Sequence, residues 1–369
     1  MITIGAGGGI WTKTSATCKY VRFIATYIDT SNNITPDIGS EVTVQSKKNY
    51  ETYFLESTND QSDRSNEILD LLLEKGICRL DSGVFYISSI DMPENSQIIG
   101  SGNSTKIILI SSETNKYALK MNSNCIIKNL QLDGLSQSLP NEAGDISGIL
   151  WNGNEPVNGL IDSILIQNFI DSGIKMEETG YGMDGVNLSN ITIKNCFYGI
   201  NIPKHSEYHR FTNCKALDCH YGCINNGGNN MFLNCNFSGN VVGFAIYNTD
   251  AAPASNNSHG SAVGCMFNHE NENEGLGIDI EGATSGFVFS SGQMFYGGGG
   301  IHIKKSVGIQ IKDFNFGRNT NIDIEDSSNK LTLIDGCIFA NEPSITADNA
   351  ESLKITNSWT RNGQPVTYN

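Results

Sequence analysis

The chain has 369 residues and a formal net charge of −15 at pH 7, which excludes a nucleic-acid partner because phosphate binding needs clustered Lys and Arg. Charged residues make up only 17% while Gly numbers 39, the balance of short strands joined by tight turns. No apolar run of about 18 residues occurs, so no membrane insertion is expected. The opening MITIGAGGG lacks a basic segment followed by an apolar one, so no signal peptide is read and synthesis in the cytoplasm is expected.

Residues 1–60 differ from the rest. CKYVRFIATYIDTSNN and EVTVQSKKNYETYF read as strands joined by polar turns, a β lead-in or small module ahead of a body spanning 61–369. SDRSNEILDLLLEKG then predicts a helix at about 65–75, with an N-cap at Ser62 or Ser65, an apolar stripe through Ile68, Leu69, Leu71, Leu72 and Leu73, and a stop at Gly76. A lone amphipathic helix there is suited to covering the open end of a stack of coils, whose apolar side chains and strand edges would otherwise face water.

From about Lys120 the sequence repeats itself. ITIKNC, RFTNC and MFLNC each set Asn before Cys, and FYGINI and HYGCIN each introduce an apolar run with an aromatic and a Gly. Units of about 22 residues without helices cannot bury their own apolar face and must stack, which predicts an all-β solenoid of about 10 coils rising about 4.8 Å per coil. The Gly before each such strand recurs at Gly148, Gly173, Gly199, Gly222, Gly243, Gly277 and Gly300. Asn129, Asn168, Asn195, Asn213 and Asn234, then Asp313 and Asn357, predict one ladder of turn side chains. Cys196, Cys214, Cys235, Cys265 and Cys337 share one place in the repeat and read as a buried column of free thiols.

With these segments in view, CRLDSGVFYISS, then SQIIGSGNSTKIIL, then coils with GI strands and Asn turns, resemble the pectate-lyase-like superfamily over roughly residues 60–360. The resemblance implies a right-handed parallel β-helix. KYVRFIATYIDTSNN with KNYETYF also resembles phage and prophage tail proteins. That likeness implies a tailspike-type protein, carried on a virion or released to a cell surface, that engages a bacterial surface polysaccharide through a lateral groove, as a homotrimer. The pectate lyases' Arg-x-Pro-x-x-Arg is absent, as are the polygalacturonases' Asn-Thr-Asp, Asp-Asp, Gly-His-Gly and Arg-Ile-Lys, so no catalytic residue carries over from either branch.

Chemistry is expected where turns lengthen along one edge: 151–159, 177–185, 203–210 and 247–260. This wall offers Trp151, Tyr181, Tyr208 and Tyr247 for stacking against sugars, with Glu177, Glu178, Asp184, Glu207, His205 and His209 as its titratable groups. Glycoside hydrolysis needs two carboxyl groups, and Glu177 with Asp184, or with Glu207 one coil on, supplies them. A lyase acting on a uronate would instead use Lys175, His209, Arg210 or Tyr208, while solvated loop charges would give the same sequence. GIDIEG, GIHIKK and NIDIED form a second constellation. Alternation sends Asp279, His302 and Asp323, and Glu281, Lys304 and Glu325, outward as two charge-alternating columns, a pattern that cross-strand complementarity explains by itself. NHENENEG lacks the Asp-x-Asp-x-Asp-Gly order and reads as a solvated acidic turn; neither metal nor cofactor is expected.

Three functions stay open. A hydrolase places two carboxyls within about 5–10 Å of each other beside the glycan. A binder shows aromatics in the groove without that pair, and a non-catalytic adhesive shaft shows an exposed apolar strip and no groove.

Overall fold

One coil shows why the chain winds as it does. Val186–Ser189 buries Val186 and Leu188, Thr192–Lys194 buries Ile193, and Tyr198–Ile202 buries Ile200 and Ile202, so each short strand turns one apolar edge inward. Asn190 and Asn195 join them in left-handed conformations with φ of 54° and 51°, which Asn tolerates better than other side-chain-bearing residues. The next coil repeats the pattern in parallel register, pairing Leu188 with Phe211, Ile193 with Ala216 and Ile200 with Cys223. Stacked coils build a 17-stranded sheet, an 11-stranded sheet and a 4-stranded sheet around one core. The 11-stranded sheet counts about eleven turns of a parallel β-helix, close to the ten expected.

The computed structural model describes residues 54–367 except 59, 111–115, 135–138, 152–157, 178–184, 249–257, 269–274, 296–299, 318–319, 326–329 and 350–351, all within the unit Lys47–Asn369. The lead-in strands expected before residue 54 lie outside the described residues; Phe54–Leu55 pairs in parallel with Ile77–Leu80.

The helix is Ser65–Lys75, packed on Ile77–Leu80 and Ile90–Asp91 of the first coils, with Ile68 and Leu72 buried. Its cap differs from the one expected. Arg64 occupies the N-cap position, and the Asp63 carboxylate accepts the Ser65 N–H at 2.9 Å. Gly76 closes the helix with φ of 68°, donating to the Leu72 carbonyl. Leu73, at 65% exposure, stands outside the apolar stripe. Among the described residues no helix is long and apolar enough to cross a membrane.

The single Asn ladder divides into two corners. On the first, Asn190 donates to Asp162, Asn213 to Asn190 and Asn357 to Asp335. On the second, Asn195 donates to Asn168, which donates to Asp133. Asp133 is buried and is neutralised by Lys106 at 2.6 Å. The two corners separate because each coil has three strands, so identical turn chemistry is needed twice per turn.

The recurring Gly has a steric cause. A Cβ on Gly222 would lie 2.4 Å from the Gly243 carbonyl oxygen, and one on Gly199 would lie 2.4 Å from that of Gly222. Coils approach too closely there for any side chain. Gly222→Ala is therefore expected to lower the unfolding free energy by about 1–3 kcal/mol, read as a shifted urea midpoint with an unchanged slope.

The core is mostly aliphatic in the first coils, with Phe85, Trp151 and Phe169 among them, and richer in Phe from Phe211 onward, where Phe211 stacks on Phe232 at 4.6 Å and Phe316 on Phe339 at 4.6 Å. Cys78, Cys125, Cys196, Cys214, Cys219, Cys223, Cys235, Cys265 and Cys337 are free and buried. Burial pushes the Cys78 thiol up to about 12 and holds Cys196 and Cys223 well above the ordinary thiol value, so these groups behave as small hydrophobes.

Candidate functional site

The outer face of the 11-stranded sheet divides into three zones along the coil axis. In the first, the buried Asp171 carboxylate accepts Ser147 Oγ at 2.9 Å and Lys175 Nζ at 2.7 Å, while Tyr117 donates to Asp91 and Lys120 Nζ lies 5.9 Å from the Tyr117 ring centroid. The second zone is an aromatic platform. Tyr198 and Tyr221 fall in register on adjacent strands and stack at 5.4 Å, Phe197 stacks on His220 at 4.7 Å, and Tyr247 meets the Tyr221 ring edge-on at 6.0 Å. Ile224, Val242, Ala245 and Leu276 pack beneath and beside it, outside the main core.

The third zone carries titratable groups. Strands Leu276–Glu281, Ile301–Lys304 and Asn321–Glu325 run in register, pairing Asp279 with His302 and Asp323, and Glu281 with Lys304 and Glu325. Asp279 accepts the Tyr247 hydroxyl on Oδ2 at 2.5 Å and faces His302 Nδ1 from Oδ1 at 2.8 Å. With the Asp279 carboxylate oxygen as acceptor, His302 carries a proton on Nδ1. Burial, then the hydrogen bond to Asp279, pushes the Tyr247 phenol far above its ordinary value, so Tyr247 stays a donor. His302 is raised, chiefly by its bond to Asp279 with Glu325 adding and burial opposing. His302 Nε2 is shielded from solvent and lies 3.4 Å from Glu325 Oε2, so the 47% exposed Glu325 is the group that meets the outside. Lys304 Nζ stands 3.9 Å from Glu325, and Lys305 Nζ stands 3.4 Å from Glu281.

Glu281 and Glu325 are separated by two coils, roughly 10 Å along the axis. That is near the upper end of the spacing at which two carboxyls work on one glycosidic bond with a water between them. The arrangement is suited to proton transfer at Glu325, with His302 behind it as a proton store and Asp279 and Tyr247 holding the ring in place. Among the described residues no three His, Cys, Asp or Glu side chains are placed to hold a metal.

The residues singled out from sequence scatter. Trp151 corrects one expectation: it is 1% exposed, its ring filling the space over Gly159, so it is core and offers no stacking surface. His209 corrects another. It is 1% exposed, its Nδ1 accepts the Val186 N–H at 3.1 Å, and its Nε2 lies 2.8 Å from Ser206 Oγ. With Nδ1 accepting, the neutral ring carries its proton on Nε2 and donates it to Ser206, the reverse of what a Ser–His nucleophile requires. Glu207 is buried and accepts Asn229 Nδ2 at 3.1 Å. Arg210 projects from the 17-stranded sheet, donating to the Asn229 carbonyl at 2.9 Å, and so lies off the face described. Tyr208 is 41% exposed in a left-handed turn beside it. Glu177 follows Met176 at the edge of the first zone, with its N–H on the Trp151 carbonyl at 3.0 Å. Lys175 lies in that zone as well. Glu178, Tyr181 and Asp184 lie outside the described residues, as do large parts of the turns 151–159, 177–185 and 247–260. Among the described residues Tyr247 is the one predicted aromatic that joins the platform, from a strand end rather than a loop.

His209 has a measurable consequence. Burial drives its pKa down to about 3, while the unfolded chain keeps a value near 6.5. Between those values the unfolded state binds the extra proton, so stability falls with falling pH by up to about 1.4 kcal/mol per pH unit. His302, being raised, works the opposite way: its contribution is complete below pH 6.5 and fades as pH rises through its folded value. His209→Gln is expected to flatten the acid limb of a stability profile taken from pH 7 to pH 4, and in NMR the His209 ring should stay neutral across that range.

No protein-family model matches the sequence, and no curated protein matches it. Solved structures do match in shape. The A-module of mannuronan C-5 epimerase AlgE4 from Azotobacter vinelandii superposes with a TM-score of 0.69 at 14% identity, covering 85% of this chain and 96% of its own. The AlgE6 A-module from the same organism gives 0.65 at 11% identity, covering 81% and 95%. The catalytic domain of a GH87 α-1,3-glucanase, solved with tetrasaccharides, gives 0.61 at 14% identity, covering 83% and 69%. The chain therefore has the parallel β-helix fold found in these carbohydrate-active proteins. That agrees with the pectate-lyase-like resemblance read from CRLDSGVFYISS and the GI coils.

Proposed function

We propose that this protein holds a polysaccharide along the outer face of the 11-stranded sheet and hydrolyses it between Glu281 and Glu325. The observation that carries this is continuity: Tyr247 belongs both to the aromatic platform and to a charged series in which Tyr247 and His302 are both hydrogen-bonded to Asp279 and His302 Nε2 lies 3.4 Å from Glu325. Aromatic rings repeated at the spacing of successive coils suit apolar and hydroxyl contact with successive sugars. Glu325 then protonates the departing glycosidic oxygen, drawing the proton from His302, and Glu281 removes a proton from the attacking water. A single displacement by water inverts the anomeric centre. The polysaccharides named for the matched proteins, a mannuronan and an α-1,3-glucan, support the substrate class. The tail-protein resemblance of KYVRFIATYIDTSNN supports a tailspike-like depolymerase of a bacterial surface polysaccharide, with the homotrimer that such a spike implies.

The test is release of reducing ends from bacterial capsular, cell-wall and plant polysaccharides, with ultraviolet absorbance of unsaturated uronates followed in parallel. Reducing ends that vanish in Glu325→Gln support hydrolysis at this site. Absorbance gain would replace hydrolysis by elimination. Binding without products, lost in Tyr221→Ala, would reduce the protein to a glycan binder.

A further inference from the structure

The charges around the third zone select among polysaccharides. We infer that the sugar units spanning the scission point are neutral or amino-substituted hexoses, and that polyuronates are disfavoured there. This rests on the proposal that the face is a glycan site.

The outward positions of three successive strands present four carboxylates, Asp279, Glu281, Asp323 and Glu325. Among the described residues every cation near them already faces one. His302 is 2.8 Å from Asp279, Lys304 is 3.9 Å from Glu325, and Lys305 is 3.4 Å from Glu281. Asp323 accepts the Thr346 hydroxyl at 2.5 Å, a neutral donor that leaves its charge in place. None of the eleven strands contains Arg, the side chain whose planar fork matches a carboxylate. A uronate at the scission point would therefore bring another carboxylate among four, with no uncommitted cation among the described residues to receive it. A neutral hexose meets hydrogen-bond acceptors for its hydroxyls, and an ammonium group gains a carboxylate partner in Asp323.

The other end of the face differs. Lys175 lies four coils from Asp279 in the same column, about 20 Å away, with Lys120 two coils further. Lys175 is held by Asp171, which leaves Lys120 to face an acidic substituent there, so selection acts on the units at the cleavage site and not on the whole repeat.

The experiment compares binding of the full chain, by affinity electrophoresis and calorimetry, to polymannuronate, polygalacturonate, neutral α- and β-glucans and chitosan. Each polymer is run with chelator and with calcium, and each is repeated with Tyr221→Ala. Neutral or amino polymers are expected to bind at least about tenfold tighter than either polyuronate, in a manner that Tyr221→Ala weakens. The double variant Glu281→Gln, Asp323→Asn is expected to narrow that ratio by about threefold or more. Polyuronate bound as tightly as the others by the wild type, with or without calcium and dependent on Tyr221, would overturn the selectivity while leaving the face as the glycan site. Binding of no polymer, or binding indifferent to Tyr221→Ala, would remove the face itself and this inference with it.

Discussion

Glu325→Gln is expected to lower hydrolysis by about 10²–10⁴-fold with little change in glycan affinity, because the amide keeps the shape and the hydrogen-bond acceptor but cannot hand over a proton. The platform residues Tyr198 and Tyr221 are untouched, so KM should stay near its original value while kcat falls. Asp279→Asn separates position from proton transfer. It removes the charge that raises His302, so the His302 pKa should drop and the alkaline side of the kcat profile, where the proton store empties, should move to lower pH. Loss of activity in Asp279→Asn with no movement of the pH profile would argue that Asp279 is only a structural partner of Tyr247. Equal loss of affinity and turnover in Glu325→Gln would place Glu325 in binding instead of chemistry.

Phe244→Ala is expected to be the most damaging single core change, at about 3–5 kcal/mol. Its ring meets Phe232, Phe237, Phe267, Phe287 and Phe289 at centroid distances from 5.2 to 6.3 Å, bridging three successive coils. Truncation opens a cavity that rigid neighbouring rings cannot collapse into. In a stack where each coil leans on its neighbours, such a loss also weakens the interfaces on both sides. The check is chemical denaturation followed by circular dichroism, with a second probe in the first coils. A midpoint unchanged within error would mean that the aromatic half of the core is plastic. Two separated transitions would mean that the aliphatic and aromatic halves unfold independently.

The fold was legible because its signals repeat. The helix at 65–75 and the stacking of Asn-cornered, Gly-started coils follow from spacing alone, and the close approach of coils at Gly199 and Gly222 shows why that Gly recurs. The site was less legible, for reasons that particular residues make plain. Trp151 sits two positions after the inward Ile149, so strand alternation buries it, but the polar NGNEP behind it resembles the beginning of a turn. His209 lies between Tyr208 and Arg210 in a polar segment, and the groups that bury it, Val186 N–H and Asn230, come from neighbouring coils. Tyr198 and Tyr221 were visible as the aromatics of FYGINI and HYGCIN, yet a stack across strands cannot be told from a repeat marker without register. The Asp279, His302, Asp323 column was also visible. Its link to Tyr247 spans 32 residues, and without that link charge complementarity was a sufficient account.

The nine buried thiols have a use beyond packing. Cys78 belongs to the first coils and Cys337 to one of the last, with the others spaced between them, so they form a graduated scale along the axis. A thiol reacts with an alkylating reagent only when its own coil has opened. Mass-spectrometric labelling, read cysteine by cysteine against time, would therefore show from which end the rod frays and how far each opening travels, with no probe introduced.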